Sequence, residues 1–208
     1  MSGLNLTPVV AVIGGLCVAV FLLTLTMTPA QQDGVIAQYG LIPARFDSAS
    51  PWRFQSWTEA GEVLVGHAFL HAGILHLLMN MLVFLQAGPF VEQRMGSVRF
   101  ALLYGMSILG GAAAYVLINP HSVEPAVGAS GAICGVFAAY FLAVRPTPRA
   151  ALSDPRVRNG MFTFVGINVV LVALLPLPIA WEAHLGGFIA GALAYLVLAP
   201  RSPAGPWG

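Results

Sequence analysis

Six stretches of this 208-residue chain contain no Asp, Glu, Lys or Arg: 1–32, 63–91, 100–123, 125–144, 159–181 and 183–200. A helix needs roughly 20 apolar residues to cross about 30 Å of hydrocarbon, and each of these stretches is close to that length or beyond it. Only 8% of the residues are charged and the mean hydropathy is +0.82, values that no water-soluble domain of this size reaches. A transmembrane barrel would show shorter segments of alternating polarity. The chain is therefore expected to be an all-α membrane protein: one domain over 1–208, with a bundle of six transmembrane helices near 9–28, 64–86, 98–118, 129–145, 160–178 and 181–199. The bilayer is its first partner.

The nine basic residues are all arginines, and seven of them fall on one side of this arrangement. Arg94 and Arg99 follow the second span, Arg145, Arg149, Arg156 and Arg158 the fourth, and Arg201 the sixth; only Arg45 and Arg53 lie opposite. Positive charge concentrates in cytoplasmic loops, so both termini are expected in the cytoplasm. The first span lacks a charged leader and its apolar run is too long for a cleaved signal peptide, which makes it an anchor. A net charge of +1 supplies no cluster to neutralise a run of phosphates, so a nucleic acid is not an expected partner. Cys17 and Cys134 both fall inside spans, as small buried hydrophobes and not as a disulfide. The connection 29–62, with Trp52 and Trp57, suits the outer interface.

The chemistry sits in the fourth span, which is short. Ser130 to Val144 is about 15 residues, or roughly 22 Å of helix, about 8 Å less than the hydrocarbon. With Arg145 at the cytoplasmic surface, Ser130 lies below the outer one, at a helix N-terminus with unpaired N–H groups and a positive dipole end. The preceding loop, Asn119 to Val127, must then dip into the protein. His184 opens the last span at a similar depth. Gly131 and Gly135 on the fourth span, and Gly187 and Gly191 on the sixth, have the four-residue spacing that lets two helices approach backbone to backbone. A serine hydroxyl needs an adjacent base to become a nucleophile, and histidine is the usual one. In the second span His76 and Asn80 share a helical face, and with the Ser130 N–H they can flank a developing oxyanion. Taken together these residues predict acyl transfer by a Ser130–His184 pair. His67 and His71 have no partner carboxylate in the span and no His-Glu-x-x-His string, so neither a metal nor a cofactor is expected.

These residues resemble the rhomboid family of intramembrane serine proteases, in its six-span bacterial form, from about Gly66 to Ala199. The matching elements are His76-x-x-x-Asn80 preceded by His71 and His67, Glu92-Gln93-Arg94 followed by Gly96, Gly128-Ala129-Ser130-Gly131, and His184-x-x-Gly187-x-x-x-Gly191. The resemblance implies a rhomboid-like bundle with a short central fourth helix. It implies Ser130 as nucleophile, His184 as general base and acid, and an oxyanion hole of His76, Asn80 and the Ser130 N–H. It also implies Gly128 in the turn before Ser130, and structural roles for Glu92 and Arg94. Substrates would be transmembrane segments of other proteins, cut near the outer face of a bacterial inner membrane. Two features depart from the family pattern. Trp52-Arg53 lies further from the histidines than usual, with Glu62-Val63 in its place, and Cys134 stands where some members carry an aromatic residue against the catalytic histidine. Two other classes fit these residues less well. An escort protein of the same fold would lack the Ser or the His, and a small-solute transporter would show inverted repeats or charges within spans.

Overall fold

The computed structural model describes residues 6–51, 53–174 and 179–200. Among them the chain is helical, with one isolated bridge between extended residues. The helices are α1 (Pro8–Leu25), α2 (Pro29–Tyr39), α3 (Trp57–Gly66), α4 (Ile74–Met95), α5 (Ser97–Ile118), α6 (Ser130–Ala143), α7 (Pro148–Ser153), α8 (Pro155–Leu174) and α9 (Trp181–Leu198). Of these, α1, α4, α5 and α9 are long and apolar enough to cross a bilayer, and α6 is apolar but only 14 residues long. Trp52, Leu177 and Arg201 lie outside the described residues.

Two of the expected spans shift. The second, expected at 64–86, is α4 at Ile74–Met95; residues 64–66 instead close α3, and His67–Phe69 form a 3-10 turn. No Asp, Glu, Lys or Arg falls within 63–79, so charge spacing could not reveal the break. The fifth begins at Pro155, not 160, because Asp154 accepts from the Arg156 N–H at 2.8 Å and starts the helix early. Arg145 also donates to the Asp154 carboxylate, from Nε at 2.8 Å, and these bonds hold its carboxyl below the usual carboxylate range. The connection 29–62 is not simple loop: Thr28 and Gln31 form a capping box ahead of α2, and the Ser56 hydroxyl accepts from the Glu59 N–H to start α3.

Ten of the 14 residues of α6 are buried, which makes it the central helix of the bundle. Large apolar side chains such as Leu23 of α1, Leu82 of α4, Leu102 of α5 and Val197 of α9 point outward, as they do when the surrounding solvent is lipid. Inside, α9 lies between α5 and α6 on glycines. A Cβ at Gly187 would overlap the Gly131 carbonyl, one at Gly191 the Gly135 backbone, and one at Gly186 the Gly110 carbonyl. Helices in lipid gain little from the hydrophobic effect on association, so this close backbone packing carries much of the attraction.

Glu92, 1% exposed near the end of α4, accepts from the Val9 N–H at 3.0 Å, the Val10 N–H at 2.9 Å and the Ser97 hydroxyl at 2.6 Å. Its carboxylate thus closes the amino end of α1, where orphan N–H groups and the helix dipole favour negative charge. The turn from α4 to α5 passes through Gly96 at φ +82°, a conformation that suits glycine. Arg94, two residues earlier, lies near the Tyr195 hydroxyl of α9. Glu92→Ala leaves two amides of α1 and the Ser97 hydroxyl without their partner and should cost about 3 kcal/mol. Thermal unfolding in detergent measures the loss.

Candidate active site

The site is built where the amino ends of α6 and α9 meet α4. Ser130 is the first residue of α6 and His184 lies in the first turn of α9; His184 Nε2 and Ser130 Oγ are 2.8 Å apart. Both side chains are half-buried. The glycine contacts below them explain the closeness. A Cβ at Gly131 would stand 3.0 Å from the Ala183 carbonyl, so the backbone beside Ser130 rests directly on the backbone beside His184.

The chain reaches Ser130 through Gly128, whose φ of +117° is open to glycine and strained for other residues. A side chain is excluded there for a second reason: a Cβ would come within 2.7 Å of His76 Cε1 and Nε2. The His76 ring therefore lies against the Gly128 backbone, and the Asn80 amide nitrogen is 3.8 Å from the same point. Asn80 donates one amide hydrogen to the His76 carbonyl at 3.0 Å, leaving its second for another acceptor. Ser130, His184, His76 and Asn80 thus converge around Gly128, four residues from three helices.

His71 stands behind this group. Its ring meets that of His76 edge-on, centroids 5.1 Å apart, and its Nδ1 is 3.3 Å from the Phe69 carbonyl. His67 is buried with Nδ1 2.9 Å from the Val63 carbonyl, and its own carbonyl accepts from the Gly128 N–H at 2.9 Å. The turn before Ser130 is thereby tied to the turn before α4. A small cavity beside Ser130 is lined by His67, Gly128, Gly131 and Ala183. Gly187 and Gly191 lie below the site on the α6-facing side of α9. Glu92 and Arg94 are near the opposite end of α4 and take no part in it. Among the described residues no group of three His, Cys, Asp or Glu side chains could hold a metal.

Cys134 is buried, and no aromatic ring stacks on His184 among the described residues. Among the described residues His184 Nδ1 is buried without a hydrogen-bond partner, and none of their carboxylates or carbonyls orients the ring through that atom. Three supports of the site have no local signal in the sequence. Leu41 pairs with Ala126 through two backbone hydrogen bonds of 2.9 Å, and the Ala44 N–H donates to the Ser122 carbonyl at 2.9 Å. This pairing feeds the loop inward only from Ala126; His121 and Val123 to Pro125 stay exposed, so the loop enters the protein later than expected. The third is the 2.9 Å bond from Asn119 Nδ2 to Glu182 Oε1. The matching glycines on α5, Gly110 and Gly111, were visible in the sequence as an adjacent mid-span pair.

The family model of the rhomboid domain matches residues 52–201. RHOMBOID-like protein 2 of Arabidopsis thaliana is 31% identical over 189 residues, 91% of this chain and 58% of that protein. RHOMBOID-like protein 1 of the same plant is 34% identical over 137 residues, 66% of this chain and 34% of that protein. Rhomboid protease GluP of Bacillus subtilis (strain 168) is 32% identical over 136 residues, 62% of this chain and 24% of that protein. The chain spans about half the length, or less, of these curated relatives.

Proposed function

The chain belongs to the rhomboid family, and from that premise we propose that it is an intramembrane serine protease with Ser130 as nucleophile and His184 as base. It is an integral membrane protein, with four helices among the described residues apolar and long enough to cross a bilayer. In this reading α6 and α8 complete a six-span bundle. The arginine-rich connections face the cytoplasm of a bacterial inner membrane, and the site opens towards the outer face. The substrates are transmembrane segments of other membrane proteins. Such a segment must unwind to present its amide, so helix-weakening residues near the cut help.

The observation that carries the proposal is the 2.8 Å contact of His184 Nε2 with Ser130 Oγ at the amino end of a central helix. In the reaction Ser130 Oγ attacks the peptide carbonyl as its proton passes to His184 Nε2. The oxyanion is received by the Ser130 N–H, His76 and the free amide hydrogen of Asn80. His184 then protonates the leaving amine. Water, deprotonated by His184, hydrolyses the acyl-enzyme and restores Ser130.

The test is cleavage of model transmembrane substrates by detergent-purified protein, together with labelling of Ser130 by a fluorophosphonate read by intact mass. Cleavage and a single adduct on Ser130 are expected. Binding of several substrates with no cleavage and no adduct would replace the proposal with an escort function. The donors make a second prediction: Asn80→Ala and His76→Ala should each lower kcat about 100-fold with little change in KM. Steady-state kinetics on one substrate separate the two parameters.

A further inference from the structure

Glu182 is a carboxylate 7% exposed in the first turn of a helix that crosses the membrane, a costly place for a charge. It accepts from Asn119 Nδ2 at 2.9 Å. Asn119 ends α5, and the same amide also donates to the Tyr115 carbonyl at 3.2 Å. Nearby, the Tyr115 hydroxyl donates to the Glu124 carbonyl at 3.1 Å, holding to α5 the connection that leads to Ser130. A buried polar pair of this kind is weak support for stability, since well-packed apolar residues often replace one at no cost. What it can supply is a unique arrangement.

We propose that Asn119 and Glu182 are a positioning pair that sets the rotation of α9 and so aims His184 at Ser130; this rests on the reading of those two residues as the catalytic dyad. Residues 182 and 184 are about 200° apart around the helix. Glu182 therefore grips α5 on one side while His184 faces α6 on the other. The contacts below, Gly187 on Gly131 and Gly191 on Gly135, fix how close α9 comes, and the side chains that resist its turning, Ala190 against Gly110 and the buried Tyr195, lie about two and three turns beyond His184. A turn of about 20° at a side-chain radius of about 5–6 Å moves the imidazole by roughly 2 Å, enough to break the 2.8 Å contact with Ser130. No third group can restore the ring, because His184 Nδ1 is unpartnered among the described residues.

The experiment compares Glu182→Ala, Asn119→Ala, the double variant and Glu182→Gln in the full chain. It measures kcat and KM on a transmembrane substrate, and the 15N signal of the His184 imidazole without substrate. Each alanine variant should lower kcat about tenfold with KM within twofold, and should move His184 Nε2 to its unbonded signal. The double variant should be no worse than either single one, since both remove the same bond. Glu182→Gln keeps an accepting oxygen and should retain kcat within about threefold and the bonded signal. Alanine variants with unchanged kcat and an unchanged His184 signal would overturn the proposal. So would a glutamine variant as damaged as the alanine one, which would make the charge, not the bond, the active feature. A native chain that cuts nothing would defeat the protease reading alone, because the His184 signal still tests the pair.

Discussion

Ser130→Ala should abolish cleavage, lowering kcat by about 10⁴-fold or more, and His184→Ala should do nearly the same. The two side chains meet at 2.8 Å and act as one unit, so the double variant should lose no more than either single one. A loss of that size corresponds to about 5 kcal/mol of transition-state stabilisation. Neither substitution disturbs packing: Ser130 opens a helix and is half-buried, and His184 is half-buried with one nitrogen unpartnered. Thermal unfolding in detergent should therefore stay within a few degrees of the native chain while cleavage disappears. Cleavage by Ser130→Ala at even a tenth of the native rate would remove the serine from the mechanism.

The largest structural effect is expected at Gly191. A Cβ there would overlap the backbone of Gly135, and backbone cannot rotate away as a flexible side chain can. Gly191→Leu should force α9 off α6 and cost more than 3 kcal/mol, beyond the usual range for overpacking because the obstacle is main chain. Since α6 carries Ser130 and α9 carries His184, the same change should separate the dyad and stop fluorophosphonate labelling. Gly166→Leu in α8 is the matched control, because nothing lies within 4 Å of a Cβ at that position. It should leave both the unfolding temperature and the labelling close to native. Equal damage from the two substitutions would show that helix propensity, not the contact with Gly135, governs the result.

The features legible in advance were those that lipid makes conspicuous. Charge is so costly in hydrocarbon that its absence marks spans, and Ser130, His184, His76 and Asn80 stood out because polar groups there need a reason. Gly131, Gly135, Gly187 and Gly191 could be paired from spacing alone, and the structure sets them against one another. What escaped was of two kinds. The break at His67–Gly73 lies inside a stretch free of Asp, Glu, Lys and Arg, and the absence of charge does not distinguish a helix from a buried turn. The Leu41–Ala126, Asn119–Glu182 and Val9–Glu92 pairs join distant segments, and nothing in the local pattern of either partner names the other. Glu92 could be singled out by resemblance, yet the amides it caps could not.

The separation of 83 residues between Val9 and Glu92 has a consequence for how the chain is made. During synthesis α1 enters the membrane long before α4 exists, and its first amides then face the lipid headgroup region with only water to satisfy them. The carboxylate that closes this end arrives at the trailing edge of α4. Completion of the earliest helix thus waits on a later one, and a nascent chain stopped before residue 92 holds a first helix whose amino end is still open.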